Sequence, residues 1–294
     1  MAAMAPPTSS DRVKEETVRK ATNALLKWKK KIQSQSNQIV EEEEIAEEED
    51  VDDFIYLSVT LKKIPQKDLT LTPHKIPLPH SLHSQDSSLL NLCLIVDGKR
   101  ITSEAAQKIL KSQHIPFIQQ ILKLSKLKSD YKSFESKKNL YDSFDVFVAV
   151  KNVVPLLPKV LGKVFYKKKR KVPVPVDFRV DGSNWKEEIE RACKSSLLCL
   201  SGGTCSAVRV GRWGVTEGGE IVKNVLKAID GVLEIVPKKW GGIRCFHLKF
   251  SDSVALPIYD HQSALQSNGD SNVGEVVGTK RKRTQVQGDS GIKK

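Results

Sequence analysis

Two uninterrupted apolar runs constrain the fold of this chain more than any other feature of its sequence. Residues 89–96 read LLNLCLIV, and residues 145–150 read DVFVAV. Strands without polar alternation are typical of sheets that are covered on both faces, as parallel sheets are. Near these runs, residues 117–124 are a further candidate strand. Three candidate helices lie at residues 103–112, 134–144 and 152–162. This short-range alternation predicts a small three-layer α/β unit.

An amphipathic helix is predicted near the amino terminus, after a leader, residues 1–10, that we expect to be disordered. Asp11 can cap this helix, and its apolar side chains recur at spacings of three and four residues. They are Val18, Ala21, Leu25, Trp28 and Ile32. Residues 54–61 (FIYLSVTL) then form a strand, because aromatic and β-branched side chains favour one, and residues 75–78 form a second, shorter strand.

The carboxyl-terminal third of the chain is predicted to alternate helices with strands. Helices are predicted at residues 184–198 and 216–230. Strands are predicted at residues 205–210 and 243–250. Thr216 can cap the second helix. Residues 251–259 close the fold, and residues 261–294 form a polar tail that we expect to be disordered.

Charge is distributed unevenly along the chain. The formal net charge is +13, although residues 41–53 (EEEEIAEEEDVDD) hold ten of the 35 acids, so the remainder of the chain carries +23. A body this basic attracts phosphate polymers, because each neutralised phosphate releases a counterion. No apolar run is long enough to span a bilayer and no basic amphipathic anchor is present, so we expect no membrane partner. The acidic linker, residues 33–53, is predicted to be disordered, either as a solvated linker or as a screen for the basic surface.

Five adjacent cations form a basic run in the middle of the chain. They are Lys167, Lys168, Lys169, Arg170 and Lys171, and an extended VPVPV segment follows them. Five neighbouring cations repel one another and cannot be buried unpaired, so they lie on a surface. The run is interpreted as a polyanion-facing crossing between two domains, with a solvated lysine loop or a nuclear-import signal as alternatives. A second basic cluster in the tail indicates nuclear import or RNA contact: Lys280, Arg281, Lys282 and Arg283.

The sequence gives little support to catalytic or metal chemistry. Its five cysteines are odd in number and lack CxxC spacing, and prolines interrupt the cluster of His74, His80 and His83, which we interpret as loop histidines. DGKRITSE follows the first apolar run and contains neither GxGxxG nor GxxxxGK[ST]. Residues 201–204 lack the spacing of a nucleophile elbow. We therefore expect no enzyme, no metal, no cofactor and no small-molecule substrate.

Five segments of the chain carry a resemblance to a known family. They are LPKVLGKVFYKKKRKVPVPV, VRVGRWGVT, EIVKNVLKAIDGV, PKKWGGIRCFHLK and SDSVALPIY. In this order they resemble the universal ribosomal protein L1 family. The resemblance is strongest to its nucleolar branch, the ribosomal L1 domain-containing proteins. The resemblance implies a two-domain α/β fold. A discontinuous split β-α-β domain would take residues 11–85 plus 173–260, and an inserted Rossmann-like three-layer domain would take residues 86–172.

The resemblance also implies a function. The expected protein is a non-catalytic, RNA-binding ribosome-biogenesis factor of the nucleus and nucleolus, with pre-ribosomal RNA and pre-ribosomal proteins as its partners. The alternative is a nucleolar interaction scaffold that binds RNA incidentally. The Ser251-Asp252-Ser253 turn departs from the Thr/Ser-Met-Gly-Pro turn of ribosomal members, and the basic run replaces their Gly-rich crossing. Both departures favour a biogenesis factor over a protein of the finished ribosome.

The RNA-binding residues predicted on this basis are mostly cations. Phosphate contacts are expected from the basic run, residues 167–171, and hydrogen bonds to the RNA backbone or to 2′-hydroxyl groups from Ser251 and Ser253. Further phosphate contacts are expected from Arg209, Arg212, Lys238, Lys239, Arg244 and Lys249.

Overall fold

The computed structural model of the protein describes residues 12–39, 53–66, 69, 72–83, 90–112, 118–167, 171–179 and 183–261. Several predictions concern residues outside this set: the leader, the Asp11 cap, most of the acidic linker, Lys168, Lys169, Arg170 and the tail cluster from Lys280 to Arg283. Within the described ranges, no helix has both the length and the apolar character needed to cross a bilayer.

The secondary structure alternates through most of the chain. In order, the elements are α1 (Glu15–Ile39), β1 (Phe54–Leu61), β2 (His74–Pro77), β3 (Leu92–Val96), α2 (Ser103–Ser112), β4 (Ile118–Lys123), α3 (Leu124–Asp130), α4 (Phe134–Ser143), β5 (Val146–Val150), α5 (Leu157–Leu161), α6 (Lys163–Tyr166), β6 (Val174–Val176), α7 (Trp185–Cys193), β7 (Ser195–Leu198), β8 (Cys205–Arg212), α8 (Gly218–Ile235), β9 (Ile243–Phe250) and β10 (Leu256–Asp260). Short 3₁₀ helices occupy Val154–Leu156 and Lys239–Gly242.

A parallel sheet forms in the middle of the chain, as the two apolar runs predicted. Its strand order is β4-β3-β5-β6, and all three strand pairs are parallel. Every residue of β3 and β5 is buried, because helices that follow and precede these strands cover both faces of the sheet. The predicted mixed α/β class is therefore confirmed.

An antiparallel sheet is built from strands near both ends of the described chain. Its order is β10-β9-β1-β8, so β1, the first strand in the chain, lies in the interior of the sheet. Side chains of β1 alternate: Ile55, Leu57 and Val59 are buried, whereas the intervening side chains are only partly covered. The buried face packs against α1 and α8, and α1 contributes the predicted stripe residues Val18 and Leu25 to that core.

Buried apolar residues fall into two clusters. The first core contains residues from α1, β1, β2, β7, β8, α8, β9 and β10, and the second core contains residues from Leu92 to Cys193. The second core continues past residue 172, where the sequence placed the end of the insert. β6 extends the parallel sheet beside β5, and Trp185 of α7 stacks on Phe178 with ring centroids 4.3 Å apart.

Three predicted helix boundaries were wrong. Helix α1 runs on to Ile39, so residues 33–39, which the sequence assigned to the disordered acidic linker, are helical. The helix predicted to reach residue 198 ends at Cys193, and Ser195–Leu198 forms β7, which pairs antiparallel with β2. This long-range pairing and the burial of Leu198 override the local helical pattern. Thr216 does not cap α8, because its Oγ1 accepts a hydrogen bond from the Arg212 N–H at 2.9 Å. Glu217 and Glu220 form the capping box instead, and α8 runs on to Ile235.

Helix α8 is joined to the loop after β2 by a buried amide. The Asn224 side chain is fully buried; its Nδ2 donates to the carbonyl oxygens of His80 and Val210 at 3.1 and 3.0 Å, and its Oδ1 accepts from the His80 N–H at 3.0 Å. Close by, α8 passes β2 so tightly that a Cβ added at Gly231 would lie 2.6 Å from Ile76 Cγ2. Both contacts fix β2 and its loop against the first core.

Replacing Asn224 with alanine should lower the free energy of unfolding by about 3 kcal/mol, because three backbone groups, two part-buried and one buried, would lose their partner. Lys227→Ala is the matched control, since Lys227 is exposed on the same helix. Urea denaturation measures both variants. Equal unfolding midpoints for the two would contradict a structural role for the amide.

Candidate nucleic-acid interface

The partly covered face of the antiparallel sheet carries polar, aromatic and basic side chains in register. Tyr56 of β1 pairs with Arg209 of β8 on one side and with Lys249 of β9 on the other. One pleat further along, Ser58 pairs with Ala207 and His247. Because paired strands lie about 5 Å apart, an aromatic ring stands between two cations on this face. We call it the polar face.

At one end of the polar face, two arginines share one aromatic ring. The guanidinium carbon of Arg209 lies 4.5 Å from the centroid of the Phe54 ring, and that of Arg212 lies 5.4 Å from it. Cation–π attraction holds both charged groups over the ring while they remain half-buried. Phe54 thus concentrates two positive charges at the start of β1.

A cleft of about 510 Å³ opens between the polar face and the second core. Its first wall comes from β1, β8 and β9. Its second wall comes from the amino-terminal part of β5, the chain leading into β6, and β7. The described residues that line it include three cations, Arg209, Lys249 and Lys171, and one carboxylate, Asp145. The balance of charge favours an anionic ligand.

Lys171 belongs to the wall that the second core provides. Its Nζ donates to the Tyr141 carbonyl oxygen at 2.9 Å and lies 4.8 Å from the centroid of the Tyr141 ring. These contacts fix the ammonium group at the rim of the second core. Lys167, at the other end of the basic run, is exposed after α6.

His83 lines the cleft and is held in its neutral form. Burial, and after it the positive charges of Arg212 and Arg209, lower the pKa of His83 to about 4, against a smaller opposing effect of Asp145. The sequence indicated only a loop histidine at this position. Its place beside the arginines depends on how the loop after β2 folds back over β8.

The two serines of the turn after β9 are used differently. Ser253 Oγ accepts from the Phe250 N–H at 2.8 Å and donates to the Val254 carbonyl oxygen at 3.1 Å, so its hydroxyl closes the turn. Ser251 is exposed and lines the cleft. Of the pair, Ser251 is the one placed to contact a ligand there.

Three of the predicted cations lie at the opposite end of the sheet. Lys238 and Lys239 follow α8 with positive φ angles of 66° and 46°, which aim them away from the core while Trp240 packs into it. Arg244 lies at the irregularity where the β1–β9 register shifts. It lies five positions before Lys249, roughly 17 Å away along the strand. The structure therefore brings Arg209, Arg212, Lys249, Lys171 and Ser251 together and leaves these three apart.

Sequence reasoning missed the aromatic and hydroxyl residues of the polar face. Phe54, Tyr56 and Ser58 occupy alternate positions in FIYLSVTL, and this alternation was the available signal. It was interpreted only as a strand pattern, because the partners of β1 on β8 and β9 lie about 150 and 190 residues later.

Comparison with known proteins gives one family. The model described as Ribosomal protein L1p/L10e family matches residues 16–254. Ribosomal L1 domain-containing protein 1 of Mus musculus is 32% identical over 258 residues, which cover 86% of this chain and 53% of the mouse protein. A putative ribosome biogenesis protein of Schizosaccharomyces pombe is 30% identical over 273 residues, which cover 90% of this chain and 68% of that protein. Ribosome biogenesis protein UTP30 of Saccharomyces cerevisiae is 24% identical over 227 residues, which cover 71% of this chain and 79% of that protein. The chain thus spans about half the length of the mouse relative.

The free energy of unfolding should fall between pH 6.5 and pH 4 because of His83. The unfolded chain binds a proton at the ordinary histidine pKa, whereas the folded chain does so only near pH 4, so protons favour unfolding in this window. The loss from pH 7 to pH 4.5 should be smaller in His83→Gln by up to about 2.5 kcal/mol. Urea titrations at the two pH values measure it. Parallel losses in both proteins would show that His83 is not held neutral.

Proposed function

Since this chain belongs to the Ribosomal protein L1p/L10e family, we propose that it is a non-catalytic RNA-binding protein that contacts pre-ribosomal RNA during ribosome assembly. The observation that carries the proposal is the row of Arg209, Tyr56 and Lys249 across the polar face. Two cations that flank an aromatic ring suit a phosphate backbone with bases beside it.

The proposal includes a division into two domains. The first core would be a discontinuous domain that contributes the polar face. The second core, residues 92–193, would be the inserted Rossmann-like domain. On this division the carboxyl-terminal limit of the insert would lie after α7 instead of at residue 172, because β6 and α7 pack in the second core. The basic run would then belong to the insert.

Among the predicted RNA-binding residues, we assign the main phosphate contacts to Arg209, Arg212 and Lys249. Arg209 and Lys249 line the cleft, and Arg212 shares the Phe54 ring with Arg209. Lys238, Lys239 and Arg244 would meet a more distant part of the RNA. Lys171 would add charge at the cleft rim, and the remaining residues of the basic run, 167–170, would add further phosphate contacts. Ser251 would hydrogen-bond the RNA, and Ser253 would keep the turn closed.

Assembly partners and cellular location follow from the same proposal. The relatives named as ribosome biogenesis proteins support a nucleolar site of action, and the tail cluster Lys280 to Arg283 would direct nuclear import. Pre-ribosomal proteins are the further partners that this proposal includes.

A salt titration of RNA binding tests this function. The double variant Arg209→Gln/Lys249→Gln should bind a ribosomal RNA fragment more weakly and lower the slope of log K against log salt by about 1.4, at roughly 0.7 for each lost phosphate contact. Lys238→Gln/Lys239→Gln removes the same charge at the opposite end of the sheet and should lower the slope less.

Filter binding or fluorescence anisotropy between about 50 and 300 mM salt supplies the slopes. Equal slopes for wild type and the Arg209/Lys249 variant would remove the polar face from the interface. Absence of RNA binding by the wild-type chain would refute the function itself.

A further inference from the structure

We propose that the cleft between the two cores takes a single unpaired nucleotide of the bound RNA, so that the protein recognises bulged or looped positions in preference to continuous duplex. This inference rests on the proposed function and specifies which RNA structure its site accepts. It concerns the space between Tyr56 and Ser58 on one wall and β7 on the other.

The dimensions of the cleft favour one nucleotide. Its volume of about 510 Å³ falls within the range of roughly 300–1,000 Å³ that small-ligand sites occupy. A base-paired helix is far too wide to enter it, whereas an unstacked base with its ribose can. RNA recognition in general exploits such splayed bases, because their faces and edges are accessible only outside a helix.

The first wall offers a surface for stacking and charge for a phosphate. Tyr56 lines the cleft between Arg209 and Lys249. A base entering here would stack on the tyrosine ring or on the guanidinium plane. Its phosphate would remain at the mouth, near the two cations, because the charge of a phosphodiester is poorly tolerated deeper in the cleft.

The second wall offers hydrogen-bonding groups instead of a second stacking surface. Ser195 and Ser196 of β7 line it, and Ser195 Oγ already donates to the Ala192 carbonyl oxygen at 2.8 Å, which leaves its lone pairs as acceptors. Asp145 accepts from the Asn91 N–H at 3.1 Å and presents further acceptor positions. Hydroxyl and carboxylate oxygens of this kind suit the ribose 2′-hydroxyl group and the exocyclic amino groups of bases.

The occupant is a nucleotide within a polymer, not a free mononucleotide. Dedicated mononucleotide sites bind phosphates through glycine-rich loops or helix amino termini, and the cleft is lined by strands and side chains instead. At the opposite, carboxyl edge of the parallel sheet, the N–H groups of Lys99, Arg100 and Ile101 already donate to the Asp97 carboxylate at 3.2–3.3 Å. That loop therefore provides no cradle for a free phosphate.

The experiment compares two RNA hairpins that differ only in one unpaired 2-aminopurine nucleotide in the stem. Wild-type full-length protein should bind the bulged hairpin about tenfold more tightly than the fully paired one, the size of effect that one base–aromatic stack gives. Binding should also change the 2-aminopurine emission, because the base leaves the stem and meets Tyr56.

Ala207→Trp tests where that preference arises. Ala207 is exposed on β8 and lines the cleft, so a tryptophan there should fill it. The variant should lose the tenfold preference, so that it binds the bulged and the fully paired hairpin about equally. Pro257→Trp is the matched control, because Pro257 lies at the same level of the sheet on β10, is exposed and does not line the cleft. Tyr56→Ala, which removes the stacking ring without adding bulk, provides a second variant if Ala207→Trp does not fold.

The outcomes separate this inference from the function on which it rests. Wild-type protein that binds both hairpins equally well, or a preference that survives in Ala207→Trp and Tyr56→Ala, overturns the cleft as a nucleotide site while RNA binding stands. Wild-type protein that binds neither hairpin nor the ribosomal RNA fragment overturns both. Loss of the preference in the cleft variants, and its retention in Pro257→Trp, supports the inference.

Discussion

The interior position of β1 in the antiparallel sheet is the constraint on which the rest of the site depends. β1 pairs with β8 on one edge and with β9 on the other. Because successive side chains of a strand point to opposite faces, the sheet has a buried face and a polar face. Ile55, Leu57 and Val59 anchor one side in the first core. The same alternation places Tyr56 between Arg209 and Lys249, so one strand sets both the packing and the arrangement of charge.

The position of the second core relative to that face depends on a small region where the two cores meet. β2 belongs to the first core and pairs with β7, which follows directly from α7 of the second. Lys75 of β2 also forms an ion pair with Glu188 of α7 at 3.0 Å, with side chains only 21% and 12% exposed. A pair this buried loses much more when one partner is removed than an exposed pair does. Together with the Asn224 hydrogen bonds, these contacts give the cleft its width.

The local sequence pattern was sufficient to predict those strands and helices whose side chains are uniformly buried or strictly alternate between buried and exposed. The runs around Leu94 and Val148 gave the parallel sheet because a strand buried on both faces has no polar positions. Ser195–Leu198 could not be recognised as a strand, since its partner β2 lies about 120 residues earlier and nothing local distinguishes it from the end of α7.

The site was predicted less completely, for a related reason. Sequence identified Arg209, Lys249 and Arg244 equally as surface cations, and only the strand register separates the first two from the third. The shared contact of Arg209 and Arg212 with Phe54, and the neutral state of His83, depend on approaches between segments that are distant in sequence. Charge can be counted along a chain, but its concentration at one place is a property of the fold.

Photocrosslinking of the full-length protein to a 4-thiouridine-labelled ribosomal RNA fragment, followed by mass spectrometric identification of the modified residues, tests the central claim most directly. If RNA lies on the polar face, crosslinks should concentrate at Tyr56 and in the peptides of β1, β8 and β9. Crosslinks confined to the exposed surfaces of α1 and α8, which cover the other face of the sheet, would contradict the account.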